Sequence, residues 1–375
     1  MQPFTLLIKP SGSNCNIDCG YCFYKSRSPE IGRGRQRMSE DVLVRLISDY
    51  LKLGFPSAEF AWQGGEPTLM GLEFFEKVVE LQKKYGQAGQ QILNSLQTNG
   101  ILLDDEWCKF LHDNKFLAGI SIDGPKEFHD YYRLDHSGAG TFDKVIAGLD
   151  KCKEHQVEFN TLTLLNAKNV EHPDTIFDFL VELGVKFIQF IPCVEIDPST
   201  KKIADFSISA EQYGAFLCRI FELWSGYGYG KLSVRDFDSV LSYCISGRHS
   251  ICTYDRRCSQ YIVIEHTGDA FCCDFFVEPK WRLGNILETP IEKLASCKTK
   301  RDFARNKQNL SNKCLICRYM PICRGGCLKN RTGSNGYDFG KETFFCSSYK
   351  RFFDYSIPAF KQIAAKIRTE MSDRK

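Results

Sequence analysis

Cys15, Cys19 and Cys22 stand in the string SNCNIDCGYCFYK, close behind the first apolar run of the chain, FTLLIKP. Thiolates packed this tightly select soft-metal chemistry: iron–sulfur clusters, zinc or copper. A cubane cluster held by three cysteines keeps one iron free to bind something that is not protein, whereas a zinc knuckle needs a fourth ligand. A second cysteine field reads Cys252-x5-Cys258-x14-Cys273, then Cys314-x2-Cys317-x5-Cys323-x3-Cys327, and finally Cys346. Those cysteines suffice for two four-thiolate sites of iron–sulfur or zinc-ribbon type, with Cys272 beside Cys273 leaving one ligand ambiguous. The remaining cysteines, Cys108, Cys152, Cys193, Cys218, Cys244, Cys272 and Cys297, are read as small core residues where they fall on apolar helical faces.

The first two thirds of the chain supply the elements that must position this chemistry. Short β-rich runs (FTLLIK, AEFAWQ, ILNSLQT, LAGISID, EFNTLTLL, KFIQFIP) alternate with amphipathic stretches such as SEDVLVRLISDYLKL and GLEFFEKVVELQKKY. Ser39 followed by acids, and Asp104 with Asp105, read as helix starts. Serial β-α units demand parallel strands, because each parallel pair needs a crossover helix. The expected fold is α/β, a partial (β/α)6 barrel over 1–234, a cysteine-rich domain over 235–350 in which periodic helices fade, and a C-terminal helix over 351–375 that packs back on the body. In such barrels chemistry gathers where strands end. The cysteine triplet follows the first strand, QGGEPT the second, QTNG the third and SIDGP the fourth, while Gln189, Cys193 and Val194 close the sixth.

Bulk properties narrow the class. A chain of 375 residues with a formal charge of +3 gives no electrostatic argument for nucleic acid or a membrane surface as partner. No run has the length of a membrane span, and the N-terminus lacks the pattern of a secretory signal. The expectation is a cytoplasmic protein, where 18 cysteines point to metal or redox chemistry rather than disulfides.

The triplet, with the aromatics Tyr21, Phe23 and Tyr24, resembles the radical S-adenosylmethionine (radical SAM) superfamily. There the free iron chelates the methionine amino and carboxylate groups of SAM and passes an electron that breaks its carbon–sulfur bond. The resemblance implies that Gly64, Gly65 and Glu66 meet the SAM amino group, that Ser121 and Arg133 serve its carboxylate and ribose region, that Val194 touches the adenine through its backbone, and that Tyr24 borders the adenosyl group, with Phe23 left as packing. The distal C-x2-C-x5-C-x3-C run resembles the SPASM extension of radical SAM peptide maturases, which carries two auxiliary [4Fe–4S] clusters. On that likeness Cys252, Cys258, Cys273 and Cys327 hold one, and Cys314, Cys317, Cys323 and Cys346 the other, giving three clusters in all.

Across residues 4–355 the phrases LLIKPSGSNCNIDCGYCFY, WQGGEPTLMGLEFFEKVVELQKKY, NSLQTNG, SIDGPKEFHDYYR and CDFFVEPKWRLGNI are similar to anaerobic sulfatase-maturating enzymes. That similarity implies oxidation of a cysteine or serine in a sulfatase motif to Cα-formylglycine. A 5′-deoxyadenosyl radical removes a β-hydrogen, Asp274 takes the thiol or hydroxyl proton, and the remaining electron leaves through an auxiliary cluster. It implies a sulfatase polypeptide as substrate and a flavodoxin or ferredoxin as reductant. The nearest rival is another SPASM maturase, forming thioether or carbon–carbon crosslinks in a ribosomal peptide. Because fourteen residues precede Cys15, no leader-binding domain is expected there, which favours recognition of a short motif. A non-catalytic electron-transfer or zinc-dependent interaction protein would leave GGEP, SIDGP and three-ligand coordination unexplained together.

Overall fold

The computed structural model describes residues 1–24, 36–197, 199–200, 202–333 and 336–373. Its strands in chain order are β1 (Thr5–Lys9), β2 (Ser57–Trp62), β3 (Gln91–Thr98), β4 (Phe116–Ser121), β5 (Phe159–Leu165), β6 (Phe187–Pro192), β7 (Ser233–Val234), β8 (Tyr261–Glu265), β9 (Asp269–Phe271) and β10 (Arg282–Asn285), beside a separate two-residue pair near Thr332. The long helices are α1 (Glu40–Leu51), α2 (Leu72–Tyr85), α3 (Asp105–Asp113), α4 (Phe142–Glu154), α5 (Pro173–Glu182), α6 (Ala210–Tyr227), α7 (Arg235–Ser246) and α8 (Cys346–Asp373). The chain forms two compact units. One comprises Met1–Ile122, His129–Phe159 and Ser259–Ala304; the other comprises Asp123–Phe128, Asn160–Cys258 and Arg305–Lys375.

In the first unit β1 to β4 run parallel to their neighbours in chain order, as the β-α alternation requires. The helix starts form where the capping residues stand: Asp104 accepts from Trp107 N at 2.9 Å, and Ser39 from Val42 N at 3.4 Å. Leu43, Leu46, Ile47 and Tyr50 make the buried stripe of α1. A polar pair inside the sheet layer is closed on itself. The amides of Gln82 and Asn94 exchange bonds of 2.8 and 2.9 Å, and Trp62 Nε1 donates to Asn94 at 3.0 Å. The cysteine-rich stretch contributes more regular structure here than its composition suggests. β8 pairs parallel with β1, in register from Thr5↔Tyr261 to Lys9↔Glu265, and β9 and β10 continue antiparallel from it.

In the second unit β5, β6 and β7 pair parallel. Helices do not fade at Arg235 as expected: α7 begins there, buries Phe237 and Val240, and stops at Gly247 in the left-handed region. The terminal helix packs on α6 and α7, with Phe237 stacked on Phe352 at 5.3 Å between centroids and Phe221 against Phe360 at 4.9 Å. Its first residue is Cys346, so the last cysteine of the distal field is fixed by a helix that this packing anchors. Among the described residues no helix is long and apolar enough to cross a membrane.

Candidate functional site

The triplet loop after β1 is held by hydrogen bonds from three sides, two of them backbone to backbone. Gly65 N donates to Gly12 O and Glu66 N to Asn14 O, both at 2.7 Å. Asp18 N donates to Leu134 O at 2.7 Å and Gly20 N to Tyr132 O at 2.9 Å, which brings the segment carrying Arg133 alongside. Asn99, in the QTNG loop, donates to Asn16 Oδ1 at 2.7 Å and lies 3.8 Å from Cys15 Sγ. A Cβ on Gly65 would sit 2.0 Å from the Asn14 carbonyl oxygen, and Gly64 has φ +134°, so this close approach requires the glycine pair.

Burial pushes the Cys15 thiol up to about 12, and the carboxylate of Glu66 and the thiols of Cys19 and Cys22 push the same way. A thiol that resists ionisation on its own, with two further cysteines bearing on it, fits a metal centre whose positive charge makes the thiolate favourable. Glu66 is fully buried, which raises its carboxyl. It accepts from Thr68 N (3.1 Å), Thr68 Oγ1 (2.7 Å), Thr98 Oγ1 (2.7 Å) and Asn99 N (2.8 Å), so its side chain joins the GGEP and QTNG loops. Arg133 is buried beside Tyr21, 5.6 Å from its ring, and Ser121 ends β4 half-buried. Val194 belongs to the second unit, where its carbonyl accepts from Lys329 Nζ at 3.2 Å; the same ammonium pairs with Glu195 at 2.5 Å.

A buried ionic group adjoins the triplet within the first unit. Lys9 Nζ, 2% exposed, pairs with Asp274 Oδ1 at 2.5 Å and lies 4.4 Å from the centroid of the Tyr24 ring. The Tyr24 hydroxyl donates to Glu265. Burial pushes the Glu265 carboxyl up to about 7 against the pull of Lys9 and the Tyr24 bond, while the Asp274 charge adds to the rise. Tyr24, Val263, Phe271 and Val277 form an apolar cluster on which Cys22 and Phe23 pack. Asp274, some 250 positions downstream of the triplet, thus shares its surroundings. Phe23 is packing, as expected, 5.1 Å from Phe275. Sequence reasoning missed Lys9 and Glu265. The signal available was a charged residue closing an apolar strand in each case, at FTLLIK and YIVIE.

The two adjacent cysteines separate. Cys272 is buried, its Sγ 3.9 Å from the Thr299 carbonyl oxygen, whereas Cys273 is half-buried next to Asp274. In the second unit Cys252 is pushed up to about 12 by burial, with Cys327 and Cys258 as charged neighbours. Cys314, Cys317, Cys323 and Cys346 line one cavity together with Met320, Tyr349 and Phe353. Four sulfurs lining one cavity, with Lys313, Glu342 and Lys350 also on its wall, fit a four-thiolate centre. All 18 cysteines are free of disulfides, and Cys108 and Cys152 face each other at 3.7 Å in the core between α3 and α4.

Family models match for the radical SAM superfamily over residues 10–180 and for an iron–sulfur cluster-binding SPASM domain over residues 252–318. The chain is 37% identical over 371 residues to a cysteine-type anaerobic sulfatase-maturating enzyme of Clostridium perfringens, covering 98% of this chain and 100% of that one. The chain belongs to the anaerobic sulfatase-maturating enzymes. A serine-type member of the family from Bacteroides thetaiotaomicron is 35% identical, with 95% of this chain and 90% of the relative covered. A solved structure of native anSMEcpe with bound AdoMet and Kp18Cys peptide matches with a TM-score of 0.90 at 36% identity, over 97% of this chain and 100% of that one. Streptococcus suis SuiB, at 17% identity and a TM-score of 0.66, shares the fold alone. This member of the family is therefore a radical SAM enzyme of mixed α/β fold with a C-terminal SPASM part and a terminal helix. The family implies iron–sulfur clusters and AdoMet as cofactors and a peptide as substrate.

Proposed function

We propose that this protein oxidises a cysteine or serine in a sulfatase motif to Cα-formylglycine, using SAM and three [4Fe–4S] clusters. Cys15, Cys19 and Cys22 would hold the first. Cys252, Cys258, Cys273 and Cys327 would hold the second; the half-buried position of Cys273 beside Asp274, with Cys272 turned toward the Thr299 carbonyl, supports Cys273 over Cys272. Cys314, Cys317, Cys323 and Cys346 would hold the third, in the cavity they line. The proposed division is 1–234 for the radical SAM part, 235–350 for the auxiliary-cluster part and 351–375 for the terminal helix, in a cytoplasmic protein reduced by a flavodoxin or ferredoxin.

When bound, the first cluster and SAM supply the radical that removes a β-hydrogen from the target side chain. The chain's own residues do the rest. Gly64 and Gly65, which let their loop close on the triplet loop, would meet the SAM amino group, and Glu66 ties that loop to QTNG. Arg133 offers a planar fork suited to the SAM carboxylate and ribose region, which Ser121 would also serve. The Val194 carbonyl, held by Lys329, is available to the adenine, and Tyr24 meets the adenosyl group through its ring, since Glu265 engages its hydroxyl. Asp274 accepts the thiol or hydroxyl proton of the substrate. Lys9 occupies Oδ1, which leaves Oδ2 as the accepting oxygen.

The observation that carries this reading is the ion pair of buried Lys9 with half-buried Asp274, in the same apolar surroundings as Cys22. Mass spectrometry of a motif peptide incubated anaerobically with reconstituted enzyme, reductant and SAM tests it. Loss of sulfur as hydrogen sulfide with gain of an aldehyde is expected from a cysteine peptide; loss of two hydrogens with sulfur retained would mean crosslinking instead. Iron analysis should give about twelve irons per chain for three cubanes, against about four plus zinc for a ribbon.

A further inference from the structure

Lys307 and Arg331 are buried cations without an acid. Lys307 is 1% exposed and Arg331 fully enclosed, and among the described residues neither forms an ion pair. Their donors go to main-chain carbonyls instead. Lys307 Nζ donates to Thr253 O at 2.7 Å and to Gly326 O, the residues directly after Cys252 and before Cys327. Arg331 donates to the carbonyls of Gly325, Arg324, Lys307, Asn309 and Phe339 at 2.8–3.1 Å. The charges that bear on them are sulfur. Lys307 acts on Cys252 and Cys323, and Arg331 is pushed down by burial and back up by Cys314, Cys258, Cys323 and Cys327. A charge this deep is almost never left without a partner of opposite sign, because carbonyl dipoles alone do not replace its hydration.

We propose that Lys307 and Arg331 are the counter-ions of the auxiliary iron–sulfur clusters, two fixed positive charges that raise the clusters' reduction potentials and so fit them to accept an electron. The inference rests on the cluster assignment made above. A cubane with four thiolates is a net anion that becomes more negative on reduction, and net charge and hydrogen bonding are what set its potential. A buried ammonium stabilises the reduced state more than the oxidised one, and it does so without the dielectric screening that weakens surface charges. Lys307 also ties the Cys252 and Cys327 segments together, so charge and geometry are supplied by one group.

The test is an EPR-monitored redox titration of anaerobically reconstituted full-length protein. Lys307→Met and Lys307→Gln should lower the midpoint potential of an auxiliary cluster, while Lys307→Arg keeps it near wild type and the cluster on Cys15, Cys19 and Cys22 is unmoved in all three. Lys307→Gln can still donate to a carbonyl, so it separates charge from tether and stands in if Lys307→Met loses its iron. Unshifted auxiliary potentials in Lys307→Gln at wild-type iron content would overturn the counter-ion role and leave the function intact. Zinc in place of iron at the distal cysteines of the wild type would overturn both.

Discussion

The N-terminal triplet and the distal cysteine field hold their sulfurs by different means. Around Cys15, Cys19 and Cys22 the chain uses backbone amides: Gly65, Glu66, Gly20 and Asp18 lace the loop to the ends of neighbouring β-α units. The charges nearby are an acid, Glu66, already satisfied by hydrogen bonds, the buried Arg133 beside Tyr21, and the Lys9–Asp274 pair. Around the distal cysteines regular structure comes in short turns, apart from the helix that Cys346 opens, and two buried cations fix the loops through their carbonyls. The contrast fits the proposed chemistry, in which a three-ligand centre keeps one coordination position for a small molecule. A closed four-ligand centre needs only enclosure and charge balance.

The largest effect should come from breaking the triplet. Cys15→Ala is expected to bring both SAM cleavage and aldehyde formation to background, whereas Cys314→Ala should lose aldehyde while SAM cleavage persists; equal loss of both activities in the two variants would erase the distinction drawn above. Next is the proton acceptor. With clusters present, Asp274→Asn should lower aldehyde formed per 5′-deoxyadenosine by roughly 10²–10⁴, the usual contribution of a general base. An unchanged ratio by chromatography would exclude the role. Arg331→Met should cost about 3–5 kcal/mol in urea melts, because five carbonyls lose a buried charged donor. A loss within the noise of the melts would show that the distal loops hold themselves.

Glu265 gives a pH dependence with a definite sign. Its folded-state carboxyl is raised to about 7 from 4.5, so between those values the folded chain binds more protons than the unfolded one. Stability attributable to this group therefore falls as pH rises through that window, by on the order of 3 kcal/mol. Glu265→Gln should flatten that slope in melts at pH 5 and 7.5; parallel curves for variant and wild type would contradict it. The smallest effect is expected at Cys272→Ala, which should keep its full iron content at a cost of about 1 kcal/mol for a small cavity. Cys273→Ala should lose iron.

Much of the site was legible because its parts are local. The triplet, the GGEP glycines and the C-x2-C-x5-C-x3-C run are strings whose spacing alone limits the chemistry, and the β-α alternation from Thr5 to Pro192 reads directly from apolar periodicity. The α7 helix was missed although Phe237, Val240 and Tyr243 recur at helical spacing, because the cysteines that follow drew the segment into a loop reading. Strand β8 was missed for the same reason, though YIVIE is β-rich and ends in a glycine turn at Gly268.

The sequence by itself determined which atoms could bind metal and the run of β-α units from Thr5 to Pro192, since these depend on residue type and short-range spacing. Only the tertiary structure decided that Lys9 meets Asp274, that Glu265 faces Tyr24, that Cys272 rather than Cys273 turns into the core, and that Lys307 and Arg331 are buried with no acid paired to them among the described residues. Those facts depend on strand register and on which groups lose their water, and neither is written in the neighbours of a residue along the chain.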